Sequence, residues 1–314
     1  MPCRNIHTDN QRIYSRKNLS AYVNFSKDIV PGQTLRVRFI DVGYGDCTLI
    51  DLPDGKTALI DGGNGSRTNN IKILKYLNRG NIDKIDYLIS TSVSEERCGG
   101  LAEIIKYKDV GKIFMPYCTV TSVNDSYRKF LKEAEGVEFD YCEYGSGVFT
   151  QDYTLCFLSP SAHTMPDGQY ENLNKNPTYQ NICDASAVIF LECSGVKFLF
   201  LGDISDSAAE RLLTSYELLD EFDVGGRSIK IDNLTVLKVA NHGSQNSVFA
   251  PLYQKTLPQT AVISVGENAR GCPSLTAIAA AQAKVGDKLY RTDLNGTITY
   301  TAKDGEYTVS KEKK

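Results

Sequence analysis

Three apolar runs of strand length follow one another between Leu35 and Ile60. Leu35-Arg36-Val37-Arg38-Phe39-Ile40 alternates, Thr48-Leu49-Ile50 comes next, and Thr57-Ala58-Leu59-Ile60 follows the turn residues Pro53-Asp54-Gly55. Short runs separated by turns read as a β-meander. The pattern then changes: Ile71, Ile73, Leu74 and Leu77 mark one helical face, and Lys84 to Ser90 reads as another strand. A meander giving way to β-α alternation places the chain in the mixed α/β class. Further along, helices are expected from Glu95 to Lys108, near Tyr127 to Glu135, from Ser205 to Leu213 and from Ser274 to Lys284. Strands are expected over Lys112 to Met115, Tyr153 to Leu158, Ala187 to Glu192, Lys197 to Leu201, Thr235 to Val239 and Ala261 to Val265, with a terminal hairpin around Asn295-Gly296.

Residues 1–33 carry five basic and two acidic side chains and little periodicity, and read as an N-terminal extension preceding one domain over 34–310. Pro160 to Asp184 is polar, rich in Asn, Pro, Tyr and Gly, and reads as a long loop insert. With 41% hydrophobic and 23% charged residues among 314, a sizeable core is possible and global disorder is excluded. No run approaches the roughly 18 to 20 apolar residues of a membrane span, and Met1 to Asn5 lack the layout of a signal peptide, so the expected location is cytoplasmic. A net charge of −3 argues against an extended nonspecific nucleic-acid surface, leaving room for a local basic groove. Nine cysteines without a CxxC pair form neither a disulfide framework nor a zinc ribbon, and with three histidines (His7, His163, His242) a histidine-built site is disfavoured. GxSxG, Walker A and helix-opening GxGxxG motifs are absent from the sequence.

Several phrases stand in a specific order. Phe39-Ile40-Asp41-Val42-Gly43-Tyr44-Gly45-Asp46 precedes Leu59-Ile60-Asp61-Gly62-Gly63; Phe198 to Asp203 ends in Gly202-Asp203; Leu237-Lys238-Val239-Ala240 leads into Asn241-His242-Gly243-Ser244; Gly271-Cys272-Pro273-Ser274 and Tyr290 to Gly296 follow. Together they resemble the metallo-β-lactamase-like domain of the ComEC competence proteins and their soluble relatives, over about residues 34 to 302. The resemblance implies a four-layer αββα sandwich of two mixed β-sheets flanked by helices, with a site at the strand ends that hydrolyses phosphodiesters or other esters using one or two metal ions.

The sequence departs from that family where the metal ligands should stand. In place of Thr-His-x-His-x-Asp-His-x-Gly-Gly it has Thr91-Ser92-Val93-Ser94-Glu95-Glu96-Arg97-Cys98-Gly99-Gly100. A neutral serine hydroxyl is a poor ligand for zinc or manganese, and a guanidinium cannot ligate a cation. The expected vestigial site therefore comprises Asp61, Glu96, Arg97, Asp203 and His242, with Arg97 pairing Asp203, Glu96 or both in place of a cation. If one Zn or Mn ion is retained, its donors are Glu96, Asp203 and His242.

Plainer roles stand beside these. Asp203 could cap the helix near Ser205, Ser94 the helix that follows it, and Asp61 could fix its turn. His242, next to Asn241 where the family has histidine, could be a satisfied structural residue, and Cys272 a packed thiol. Expected function follows from the departure: a degenerate, non-catalytic metallo-β-lactamase-fold protein that binds a protein partner or a small anionic or phosphate ligand at Ser92, Ser94, Arg97, Asn241 and His242. The alternatives are a one-metal phosphodiesterase or esterase using Asp203, His242 and Glu96, and a subunit of a larger complex.

Overall fold

A computed structural model describes residues 34–118, 124–161, 175, 177–219 and 221–313. The expectation for residues 1–33 lies outside them, as does most of the insert expected at 160–184; within that insert the described part includes a helix, Tyr179–Asp184.

In chain order the strands are β1 (Leu35–Phe39), β2 (Thr48–Asp51), β3 (Thr57–Ile60), β4 (Lys84–Ile89), β5 (Asp109–Met115), β6 (Glu138–Tyr141), β7 (Gly147–Phe149), β8 (Tyr153–Ser159), β9 (Val188–Cys193), β10 (Val196–Phe200), β11 (Phe222–Val224), β12 (Arg227–Ile229), β13 (Val236–Lys238), β14 (Thr260–Ile263), β15 (Leu289–Arg291), β16 (Ile298–Lys303) and β17 (Glu306–Lys311). The helices are α1 (Arg67–Arg79), α2 (Glu95–Cys98), α3 (Leu101–Tyr107), α4 (Asp125–Glu133), α5 (Tyr179–Asp184), α6 (Asp206–Leu219), α7 (Ala250–Thr256), α8 (Leu275–Val285) and α9 (Thr292–Asn295). One sheet runs β17-β16-β1-β2-β3-β4-β5-β6 and the other β15-β14-β13-β10-β9-β8-β7. In each, a meander is antiparallel and the β-α part is parallel: β3 to β6 in the first, β10 to β15 in the second.

Alternation along the meander strands explains the layering. Val37, Phe39, Ile50, Phe157, Ile189, Phe198, Phe200 and Tyr300 point inward and form the core between the sheets. Leu49, Leu59 and Leu88 face outward beneath Ile73 and Leu77 of α1 and Leu101 and Ile104 of α3. On the opposite side Leu199, Leu237 and Ala261 meet Leu212 of α6, Leu252 of α7 and Ala281 of α8. The result is the αββα sandwich. Among the described residues no helix is long and apolar enough to cross a membrane.

Two local expectations change. The helix expected over Glu95 to Lys108 is two pieces, α2 and α3, joined at Gly99-Gly100. A Cβ on Gly100 would collide with the carbonyl of Gly62 and one on Gly99 with the backbone of Asn64. The glycines thus let this segment lie directly on the chain leaving β3, where Gly62 N–H donates to Arg97 O at 2.7 Å. Asn295-Gly296 closes α9, and the terminal hairpin turns at Asp304-Gly305, between β16 and β17. Both dipeptides suit φ > 0, so turn chemistry alone could not choose between them.

Candidate functional site

The exits of β3, β4, β10 and β13 converge with the β1–β2 loop at one edge of the sandwich, and each contributes charge. Asp61 follows β3, Arg97 sits in α2 beyond β4, Asp203 follows β10, Lys238 ends β13, and Asp46 comes from the β1–β2 loop. Backbone strain positions two of the exits: Asp61, Asn241 and His242 all adopt left-handed φ, of 61°, 45° and 54°.

Arg97 is the hub. It is 2% exposed, yet all three guanidinium nitrogens are spent. Nε donates to Asp203 Oδ1 at 2.9 Å, and Nη2 donates to Asp203 and to Gly202 O, the latter at 3.0 Å. Nη1 donates to Asp46 Oδ2 and, at 3.2 Å, to Asp61 Oδ2. Lys238 Nζ adds a second cation, donating to Asp46 Oδ2 at 2.8 Å and to Val239 O at 3.2 Å. Thr91 completes Asp61, its N–H donating at 2.8 Å and its hydroxyl at 2.7 Å.

Two buried cations thus face three buried carboxylates, and the titration behaviour follows from that balance. Burial, opposed by the Thr91 hydrogen bonds, pushes the Asp61 carboxyl up to about 7. For Asp203 burial acts upward most strongly, but the Arg97 charge and the hydrogen bonds from Arg97 and Ser94, with His242 adding to them, together hold the carboxyl below its ordinary range. Burial and the Arg97 charge press Lys238 well below the usual lysine range and His242 down to about 3. His242 is therefore a neutral imidazole. Its Nδ1 lies 3.0 Å from Ser264 O and 3.4 Å from Asp46 Oδ1, and its ring packs 4.6 Å from Tyr44.

The remaining expected residues fall in different places. Ser94 occupies the N-cap position of α2 without making the capping bond; its hydroxyl donates to Asp203 Oδ2 at 2.9 Å. The cap ahead of α6 is made by Ser205, which accepts from Ala208 N–H, so Asp203 is free for Arg97. Ser92 Oγ accepts from Ser94 N–H. Asn241 Nδ2 donates to Tyr179 Oη at 3.3 Å. Glu96 stands apart from the cluster: one residue before Arg97 on α2, it turns to the mouth and pairs with Arg270 at 2.6 Å. Arg270 in turn lies 5.8 Å from the ring centres of both Tyr44 and Tyr179, bracketing the entrance with two aromatic faces. Cys272 is half-buried beside this group.

This geometry corrects two expectations. Glu96 does not join Asp203 and His242 as a donor set, because its carboxylate serves Arg270 outside the cluster. Nor has Arg97 an N–H left for an anionic ligand, since Asp46, Asp61, Asp203 and Gly202 accept from its fork. Sequence reasoning passed over Asp46, Lys238, Tyr44, Tyr179 and Arg270. Lys238 carried a readable signal: a cation at the end of an apolar strand, Val236–Lys238, must be buried with a partner.

The donor chemistry does not fit the metal centre that the fold implies. Serines stand at two ligand positions and Arg97 at a third, and the carboxylates that could coordinate an ion already accept from Arg97 and Lys238. Among the described residues no group of three or more His, Cys, Asp or Glu is arranged to hold a metal.

Comparison with known proteins agrees with the fold. No protein-family model matches the sequence. ComE operon protein 3 of Bacillus subtilis (strain 168) is 25% identical over 283 residues, which cover 85% of this chain and 33% of that protein. The chain therefore spans about a third of the length of the relative it matches. Among solved structures, Tm1679, described as a metal-dependent hydrolase of the beta-lactamase superfamily, aligns with a TM-score of 0.51 at 11% identity, covering 87% of this chain and 98% of its own. The metallo-beta-lactamase fold protein YhfI from Bacillus subtilis aligns with a TM-score of 0.47 at 9% identity, covering 87% and 99%. The chain has the metallo-β-lactamase fold and is similar to ComE operon protein 3.

Proposed function

We propose that this chain is a non-catalytic member of the metallo-β-lactamase fold, in which an internal arginine does the electrostatic work of the metal ions and the protein acts by binding. One observation carries the reading: the Arg97 fork bonded to Asp46, Asp61 and Asp203 at once. Gathering three carboxylates at low dielectric requires a countercharge. A divalent ion provides it in a hydrolase and also activates water. A guanidinium provides the charge without the Lewis acidity, and with its donors spent it offers nothing to a substrate oxygen. The neutral His242 is held against Ser264 O on one side and Tyr44 on the other, which suits a packed residue.

The test is chemical. Protein dialysed against Zn²⁺ or Mn²⁺ and then freed of excess ion is expected to hold no stoichiometric metal by elemental analysis. It is also expected to leave bis(p-nitrophenyl) phosphate intact with either ion supplied. Metal-stimulated turnover that disappears in Asp203→Ala would overturn the reading and restore the hydrolase alternative. Binding to a protein partner is part of the same proposal, and copurification from native extract checks it.

A further inference from the structure

On the outer face of the first sheet a separate cavity of about 600 Å³ opens between β1, β2 and the C-terminal end of α1. Its charge is unbalanced. Arg36 and Arg38 stand two residues apart on β1, hence on the same face, and β2 offers them one carboxylate, Asp51, directly opposite Arg36 in register. Arg38 takes both of its oxygens, Nη1 on Oδ1 at 2.9 Å and Nη2 on Oδ2. Arg36 is left with Nη1 3.9 Å from Asp51, beyond hydrogen-bond reach, although its side chain is only 15% exposed. Arg79, at the exposed end of α1, also lines the cavity. The rim acids are committed elsewhere: Asp86 pairs with Lys84 at 2.7 Å, and Asp83 with Lys108 at 3.5 Å.

We propose that this cavity is a binding site for a small phosphomonoester, whose phosphate takes the unfilled fork of Arg36 with Arg79 as second cation. A planar guanidinium with two free N–H groups matches two oxygens of a phosphate, and burying it without an anion is costly. The volume suits a small molecule, and Leu52, Tyr76 and Ile82 supply walls for the uncharged remainder. The site shares no residue with the Arg97 cluster, so it stands or falls independently of the proposed function.

Inorganic phosphate and phenyl phosphate, titrated into the full chain at constant ionic strength with KCl, provide the probe, read by thermal unfolding and ³¹P NMR. A saturable rise in Tm is expected, with phenyl phosphate the tighter of the two. Arg36→Gln is expected to weaken both at least tenfold and Arg79→Gln severalfold, while the Tm of Arg36→Gln in KCl alone stays level or rises, because an unbalanced charge is removed. A wild-type protein that does not respond overturns the proposal. So does an undiminished response in Arg36→Gln, or a fall of several degrees in its Tm in KCl, which would make Arg36 structural. Binding confined to phosphatidylcholine vesicles containing phosphatidic acid, without a response to dissolved phosphate, likewise overturns it in favour of a membrane surface.

Discussion

Two groups of buried arginine lie on this sandwich with opposite charge arithmetic. At the strand ends Arg97, helped by Lys238, faces Asp46, Asp61 and Asp203, and each guanidinium nitrogen finds an acceptor. On the outer face of β1 two arginines share Asp51, and one of them is left short. The same side chain is internally satisfied in the first place and externally unsatisfied in the second. A satisfied buried charge holds a fold together; an unsatisfied one is a place where something else can bind.

The sharpest way to break this contrast is to remove each hub. Arg97→Met leaves three carboxylates without their main countercharge, and the cost is expected to be about 4 kcal/mol or more. Arg36→Gln, in the other region, is expected to cost close to nothing. Urea unfolding of the two variants against wild type measures both. Similar losses would mean that the β1 pair is as structural as the strand-end cluster.

A second experiment uses pH to see inside the strand-end cluster. His242, at about 3 when folded against an ordinary value near 6.5, favours the neutral form in the fold, so its contribution is complete above about pH 6.5 and drains as pH falls. Asp61, raised to about 7 from 3.8, does the reverse: its contribution is complete below about pH 3.8 and is lost as pH rises toward 7. From about pH 4.5 to 6.5 the two slopes oppose each other, and wild-type stability should be nearly flat for these groups. In His242→Gln the Asp61 slope is exposed, and stability should rise by about 2 kcal/mol on going from pH 6.5 to 4.5. In Asp61→Asn it should fall by a similar amount. Parallel profiles in the two variants would show that these groups do not titrate as the cluster requires.

A third, smaller effect separates Arg38 from Arg36. Arg38→Gln removes a bidentate partner of Asp51 at a site 5% exposed, but Arg36 is at hand to replace it. Denaturant unfolding should show a loss of about 1 kcal/mol, and phosphate binding should weaken as Arg36 turns to Asp51. Tighter phosphate binding in this variant would contradict the idea that the two arginines compete for one carboxylate.

The contrast also shows what could be read from sequence. Alternation in Leu35 to Ile40 set Val37 and Phe39 on one face, which the structure turns inward, and the order of meander and β-α units gave the mixed α/β class, while the four-layer architecture was legible only through the family resemblance. The Thr91 to Gly100 phrase was readable as a departure from the family pattern, and its Arg97 does meet Asp203. The partners of Arg97 were only half readable: Asp203 was expected, but Asp46 arrives from the β1–β2 loop, where it also accepts from Lys238 at the end of β13, and only the folded topology brings it to Arg97. Glu96 misled because adjacent positions on a short helix point about 100° apart, so Arg97 enters the cluster while Glu96 meets Arg270 at the mouth. The Arg36 imbalance depends on strand register, Arg36 opposite Asp51, which alternation alone does not fix.

The smallest effect tests whether the mouth belongs to the satisfied region or merely covers it. Arg270 is half exposed, paired with Glu96 and flanked by Tyr44 and Tyr179, so water screens its ion pair and little stability rests on it. Arg270→Gln is expected to cost less than about 1 kcal/mol. It should nevertheless loosen the entrance, because one guanidinium links α2, α5 and the β1–β2 loop. Faster reaction of the half-buried Cys272 with a thiol reagent, with no change in urea midpoint beyond that small cost, is the expected signature. A loss approaching that of Arg97→Met would show that the mouth and the buried cluster are one electrostatic unit, and that the boundary between satisfied interior and exposed surface lies further out than Glu96.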